Sequence, residues 1–382
     1  MVLASSFNVL NIFLTNQCNL KCSYCFVNIH KDSNDCDSKE LELVYFKKAI
    51  DFFLNSSNQQ KEIIFSGGEP LLRFDKIKES QQYLQHTKRS KIKPTITVLT
   101  NGTLLNDDYF NFLESNGISL KVSIDGKKAI HDHNRPFKSA KHASSYEHIV
   151  NNLDYDKRHG VGVNLVFTPD TINKLLSNIK FVVKAGFGYV DFYPDLYSKW
   201  SEEELEKLES IFNEFREYYV GIFNNTITGD NIFKNNLLHR FINDSELYRP
   251  ILCYKIHFDW EGNFYCCDKA LSLNRSEKKA FIIGNAHKGI DKRLRSKLLE
   301  QKRNEIKNLT GKDCKICKYL KYCFCPIGQY IYFSSKGEDF KEYFPQFCRI
   351  SQIYIRNFLS IKERLKSNKL FAKTYGSKHA SC

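Results

Sequence analysis

The sequence predicts an α/β fold in which six β/α units build a parallel sheet of the TIM type, closed or partly closed. Short β-rich runs alternate with amphipathic stretches through the first 200 residues, and the intervals between those runs are crossover segments rather than tight turns. Behind this region the chain becomes rich in Cys, Lys and aromatic residues with few periodic elements, which predicts a second, smaller module stabilised by metal rather than by its own core.

The candidate strands are Val9 to Thr15, Ile63 to Ser66, Thr95 to Thr100, Leu120 to Ser123, Val163 to Thr168 and Val190 to Tyr193. Between the first two, Asp37 and Glu40 form a capping-box-like start for a helix carrying Leu41, Tyr45, Ile50 and Phe53. Ser201 and Glu204 form a second capping box, opening the helix EEELEKLESIFNEFREYY. The expected organisation is a barrel over 1–200, a helical bridge over 201–250, a cysteine-rich module over 251–350 and a basic helix or tail over 351–382. A sheet of this kind carries its active site at the C-terminal ends of its strands.

Hydrophobic residues make up 42% of the 382 and aromatics 14%, enough for a sizeable core, so a disordered chain is excluded. The apolar N-terminal stretch lacks a basic n-region and a clear cleavage site, and it alternates as a strand does. No run of 18 apolar residues follows, so neither secretion nor a spanning helix is indicated, and a cytoplasmic protein is expected. The net charge is +14, and from Arg356 onward seven Lys or Arg face a single Glu. That balance suits an acidic partner, or else a solvated basic helix.

The 13 cysteines are clustered: three lie between positions 18 and 25, one at 36, eight between 253 and 348, and one at 382. A chain of this size does not need disulfide staples, and grouped thiols point to metal ligands. TNQCNLKCSYCF sets three of them at CxxxCxxC directly after a strand. Thiolates are the usual ligands of iron–sulfur clusters; this spacing lets one loop wrap a cube and leaves one iron open. A structural zinc would need a fourth ligand, and the next candidate, Cys36, is eleven residues further on.

With Tyr24 before the last cysteine, this loop resembles the signature of the radical S-adenosylmethionine (SAM) superfamily. The resemblance implies a partial (β/α)6 TIM-type barrel and a 4Fe–4S cluster on Cys18, Cys22 and Cys25, whose open iron chelates SAM. It also implies reductive cleavage of SAM to a 5′-deoxyadenosyl radical that abstracts hydrogen from the substrate. Gly67, Gly68, Glu69 and Pro70 resemble the family's GGEP motif, which binds the SAM amino group. Glycines there allow close approach to a ligand, and Glu69 is able to accept from an ammonium. Ser123 and Asp125, in KVSIDG, resemble ribose-binding positions, and Arg135, in HDHNRP, resembles the partner of the SAM carboxylate. The plainer alternative for these residues is strand-end and turn chemistry. Asn101, in LTNGT, either lines the same mouth or makes a turn.

The later cysteines resemble the SPASM extension of peptide- and protein-modifying members. That resemblance implies two auxiliary clusters, expected as 4Fe–4S: Cys314, Cys317, Cys323 and Cys348 would hold the second, and Cys253, Cys267 and Cys325 the first, with a ligand missing. The chain departs from the pattern in two places. Phe324 alone separates Cys323 from Cys325, where the family usually has three residues, and Asp259 stands where some members have a further cysteine. Cys266 is the other candidate ligand, but neighbours on a strand point to opposite faces, and the spacing of Cys267 from Gly262 fits better.

Asp268 matches the aspartate that acts as base in anaerobic sulfatase-maturating enzymes, although a Cys-Asp pair recurs across SPASM proteins and suits a structural role equally. The expected activity is a thioether or carbon–carbon crosslink in a ribosomally made peptide, with formylglycine formation in a sulfatase as the alternative. The expected partners are a peptide or protein substrate with an acidic leader and a flavodoxin- or ferredoxin-type electron donor, with no membrane. A different class of protein, a zinc ribbon binding nucleic acid through its basic tail, is disfavoured because only one CxxC pair is present. Neither fold nor cluster motif names the substrate.

Overall fold

The computed structural model describes residues 7–28, 43–56, 61–87, 93–141, 143–225, 232–242, 255–312, 314–319, 322–324 and 326–375. Cys36, Cys253, Cys325 and Cys382, and the capping residues Asp37 and Glu40 with Leu41, lie outside the described residues.

All six sequence-predicted runs form strands: β1 (Val9–Phe13), β2 (Glu62–Ser66), β3 (Thr95–Thr100), β4 (Ser119–Ser123), β5 (Gly162–Phe167) and β6 (Tyr189–Pro194). They pair in chain order, each parallel to the next, and form the strands of a partial barrel. The crossovers contain α1 (Leu43–Leu54), α2 (Phe74–His86), α3 (Asp107–Ser115), α4 (Lys128–Asn134), α5 (Ser145–Asn152) and α6 (Leu175–Lys184). One face of the sheet is apolar, with Leu10, Ile12, Ile63, Phe65, Val98, Val122, Leu165 and Val190 buried, and α1 adds Phe46, Ile50 and Phe53 to the same core.

Strand alternation puts Asn11, Glu62, Thr97, Lys121 and Asp191 on the opposite face, and these polar groups satisfy one another. Ser66 Oγ donates to Asn11 Oδ1 at 2.5 Å, and Thr97 Oγ1 to Glu62 Oε1 at 3.1 Å. Lys121 Nζ reaches Asp191 Oδ2 at 2.8 Å. A Cβ at Gly162, on the strand between them, would lie 3.2 Å from Lys121 Cε, so the missing side chain makes room for the pair. Burial opposes the charge on Lys121, but Asp191, with Tyr193 and Glu62, outweighs this and raises its pKa.

The capping box at Ser201 opens α7 (Glu202–Phe223): Ser201 Oγ accepts from Glu204 N at 3.2 Å, and Ser201 N donates to Glu204 Oε2 at 2.7 Å. After α8 (Asn236–Ile242), the sheet resumes with β7 (Lys255–Phe258), which pairs parallel to β1 with Asn11 opposite His257. The cysteine-rich region therefore extends the barrel's own sheet. Next come β8 (Asn263–Tyr265), α9 (Arg275–Lys278), β9 (Ile282–Asn285) and β10 (Gly289–Ile290), the added strands pairing antiparallel. The chain ends in α10 (Lys292–Thr310), α11 (Pro326–Ser335), α12 (Phe340–Leu365) and α13 (Lys369–Tyr375).

Helix α12 starts at Phe340 and so runs across the expected boundary at 350/351. It lies parallel to α7, and one ion pair recurs about every two turns: Arg349 with Glu202, Arg356 with Glu209 at 2.7 Å, and Arg364 with Glu217 at 2.6 Å. With Lys366 paired to Glu363, three of the seven basic charges counted from Arg356 onward are matched within the chain, which weakens the case that this tail exists to attract an acidic partner. Among the described residues, no helix is long and apolar enough to cross a membrane.

Candidate active site at the strand ends

The loop leaving β1 carries Cys18, Cys22 and Cys25, and it is stitched to the turn after β2. Gly68 N donates to Thr15 O at 2.8 Å and Glu69 N to Gln17 O at 2.7 Å. The two glycines make this contact possible. Gly67 has φ +136°, and a Cβ there would lie 2.6 Å from Thr15 O; at Gly68 it would lie 1.9 Å from Gln17 O. The close approach these glycines make within the chain is to the cysteine loop. Pro70 follows at the start of a short 3₁₀ turn, where its missing N–H costs nothing.

Glu69 is fully buried. Its Oε1 accepts from Leu71 N at 3.0 Å and Thr100 Oγ1 at 2.5 Å, and its Oε2 from Asn101 N at 2.8 Å. It ties the ends of β2 and β3 together. Burial pushes its carboxyl up to about 7, against the lowering effect of those three donors. The native state therefore holds a proton that the unfolded chain, with a carboxyl near 4.5, has already released. Stability is thus expected to fall as pH rises from about 4.5 to about 7, by up to roughly 3 kcal/mol. Urea denaturation of the metal-free chain across that range should show the slope, and Glu69→Gln should flatten it. An equal slope in both proteins would rule the assignment out.

Asp125 follows β4, whose last residue is the half-buried Ser123. Asp125 and Arg135, expected to contact different parts of one ligand, also face each other. Arg135 Nη2 donates to Asp125 Oδ1 at 3.1 Å, and its Nε lies 3.1 Å from Oδ2. Asp125 also accepts from Tyr24 Oη at 2.5 Å, Asn134 Nδ2 at 3.2 Å and Val166 N at 2.9 Å. The Arg135 guanidinium sits 5.2 Å from the centre of the Tyr24 ring. Burial opposes its charge, but Asp125, with Tyr24 and Cys22, outweighs this and raises its pKa. His131 Nδ1 accepts from Asp125 N at 3.3 Å, and burial brings its pKa down to about 4. The cysteine loop, the end of β4 and the end of α4 thus share one buried charge cluster.

Burial pushes the Cys22 thiol up to about 12; Arg135 works against that, while the neighbouring Cys25 and Cys18 add to it. A buried thiol whose ionisation two neighbouring thiols oppose is poorly matched to an empty loop and well matched to one that gains cationic iron, because coordination deprotonates a thiol outright. Among the described residues, no group of three or more His, Cys, Asp or Glu could hold a single metal ion.

Asn101 joins this loop. Its Nδ2 donates to Asn19 Oδ1 at 2.8 Å and reaches Cys18 Sγ at 3.7 Å. Sequence spacing had left it between mouth and turn; the side-chain contacts put it at the thiols.

Among the described later cysteines, Cys317 lies near Cys348, and Cys266 and Cys267 adjoin each other in a second place. Cys348, on α12, accepts from Gln352 Nε2 at 3.4 Å, and its thiol is raised by burial and by the neighbouring Cys317. Cys317 N in turn donates to Cys314 O at 3.3 Å, and Cys323 N to Tyr319 O at 3.0 Å. Cys267 lies against α11, where a Cβ on Gly328 would be 3.6 Å from its Sγ. Cys266 is buried beside it. Asp259 is wholly occupied by its turn, accepting from Glu261 N, Asn263 N and Tyr265 Oη at 2.9–3.0 Å, so it is no substitute for a missing thiol.

Asp268 pairs with Lys269 Nζ at 3.1 Å. Burial opposes its charge, but Lys269 and His257 outweigh this and hold the carboxyl far below the usual range. The Lys269 ammonium also lies 3.4 Å from the centre of the Phe26 ring, next to Cys25. This segment of the later module therefore rests on the first cysteine loop.

The family model of the radical SAM superfamily matches residues 12–182. An uncharacterized protein, MJ0907 of Methanocaldococcus jannaschii, is 31% identical over 219 residues, 55% of this chain and 72% of that one. A cysteine-type anaerobic sulfatase-maturating enzyme of Clostridium perfringens is 24% identical over 327 residues, 80% of this chain and 84% of that one. Among solved structures, native anSMEcpe with bound AdoMet superposes with a TM-score of 0.63 at 21% identity, over 90% of this chain and 99% of that one. Streptococcus suis SuiB bound to precursor peptide SuiA gives 0.57 at 16% identity, over 85% of this chain and 73% of that one. At such identities the structural likeness is one of fold. The matched family region and the archaeal relative agree with the strand-end thiol loop: the chain belongs to the radical SAM superfamily, whose enzymes use SAM and a 4Fe–4S cluster.

Proposed function

We propose that this enzyme modifies a ribosomally made peptide, forming a thioether or carbon–carbon crosslink. When bound, a 4Fe–4S cluster with SAM supplies one-electron cleavage to a 5′-deoxyadenosyl radical that takes hydrogen from the substrate. In this reading Cys18, Cys22 and Cys25 hold the cluster, while Glu69, Ser123 and Arg135 line the SAM site. Asp125 orients Arg135 and keeps its charge in place beside Cys22. Cys314, Cys317, Cys323 and Cys348 form the second auxiliary site, in keeping with the nearness of Cys317 to Cys348. Cys267, with Cys253 and Cys325, forms the first. A flavodoxin- or ferredoxin-type protein delivers electrons, and the basic surface suits an acidic leader.

The observation that carries the choice of reaction is the Asp268–Lys269 pair. A carboxylate held ionised by an ammonium 3.1 Å away is a poor proton acceptor, so the formylglycine reaction, which would use Asp268 as base, is the less favoured one. That second reading is supported instead by the extent of similarity to the clostridial maturase.

Anaerobic reconstitution with iron, sulfide, SAM and dithionite should yield 5′-deoxyadenosine, and a short peptide encoded beside the gene should lose a pair of hydrogens. Conversion of a sulfatase peptide to formylglycine would overturn the crosslinking assignment in favour of the second reading.

A further inference from the structure

Asn101 is buried, and its amide is oriented without ambiguity. Thr103 N and Thr103 Oγ1 both donate to Asn101 Oδ1, at 2.9 and 2.7 Å, so the NH2 group must face the other way. One of its hydrogens goes to Asn19 Oδ1; the other is left for Cys18 Sγ. Asn19 Nδ2 closes the ring by donating to Thr103 Oγ1 at 2.7 Å. Leu20 N, 3.4 Å away, is a second donor to the same sulfur. The backbone N–H of Asn101 meanwhile binds Glu69 Oε2, so a single residue connects the GGEP turn to a thiol of the first loop.

We propose that Asn101 is a positioning residue that sets the reduction potential of the cluster on Cys18, Cys22 and Cys25 by an N–H···S hydrogen bond to Cys18. The proposal rests on the cluster assignment above. Reduction adds one electron, and hence negative charge, to the cluster and its sulfurs; a donor aimed at Cys18 Sγ stabilises that added charge and raises the potential. Thr103 and Asn19 do not act on the cluster themselves. They fix the amide so that the donor is already aimed before reduction takes place.

The test is an EPR-monitored redox titration of the reconstituted full chain, read on the signal that SAM addition perturbs. Asn101→Leu, matched to the parent in iron and sulfide content, should show about a tenfold smaller reduced-to-oxidised ratio at a fixed potential, equivalent to a downward shift of about 59 mV for one electron. Thr103→Val should move it much less. An unchanged potential in Asn101→Leu overturns the proposal, as does an equal shift in Thr103→Val, which would mean that loosening the loop is sufficient. If Asn101→Leu cannot hold the cluster, Asn101→Ala decides. It removes the donor without adding a charge and must lower the potential; loss of the cluster from both variants with unchanged far-UV circular dichroism assigns Asn101 to scaffolding alone. Failure of the parent to bind any cluster refutes the cluster assignment rather than this inference.

Discussion

Cys22→Ala is expected to abolish 5′-deoxyadenosine formation and the visible absorbance of the first cluster while leaving the metal-free fold nearly intact. The asymmetry follows from what Cys22 does in each state. Without metal, it is a thiol that burial and two neighbouring cysteines keep protonated, and losing it should cost about 1 kcal/mol, the ordinary price of a point substitution. With iron, the proposed site takes it as one of three ligands from the loop. Among the described residues of the mouth, the carboxylates of Glu69 and Asp125 are already committed to hydrogen bonds. Iron content, absorbance and 5′-deoxyadenosine should therefore fall together, with the urea midpoint almost unmoved. Residual nucleoside formation near the parent rate would sink the radical reading itself.

The second large effect is on stability. Asp125→Ala leaves the buried Arg135 guanidinium without its counter-charge and takes the acceptor from Tyr24, Asn134 and Val166 as well. Breaking one side of a buried pair costs about 3–5 kcal/mol, a large part of the total stability of a typical domain. Adding Arg135→Leu removes the stranded charge and should recover much of that loss. Equilibrium denaturation of the metal-free single and double variants measures both quantities. A loss below about 1 kcal/mol for Asp125→Ala would mean that water reaches the pair and that Arg135 is not held by it.

How much of this was legible in the sequence depended on whether the signal was local. Runs such as TITVLT and GVNLVF carry their own strand preference, and Ser201–Glu204 is a capping box whose partners are three residues apart, so both could be read from the chain. The thiol spacing at 18–25 is equally local. What could not be read were the partners brought in by tertiary contact. Asp125 and Arg135 were each identified, but their pairing depends on α4 folding the chain back over the end of β4. The role of Asn101 depends on a thiol 83 positions away. Strand β7 is only four residues long and owes its place to β1. Helix α12 contains Pro345, which ordinarily marks a helix boundary, so its true start at Phe340 was hidden.

The pairing of β7 with β1 has a consequence for how the chain is made. Strand β1 leaves the ribosome before either of its partners; its β2 side is covered once residue 66 has emerged, but its other side waits until residue 258. Through nearly two hundred residues of synthesis the nascent barrel presents an open strand edge made of Val9, Leu10 and Ile12, the kind of edge that recruits foreign strands. Closure is a long-range event and hence a slow one. A chain released before β7 is complete would expose that edge permanently, so the yield of intact protein should depend on the last third of the molecule docking onto its first strand.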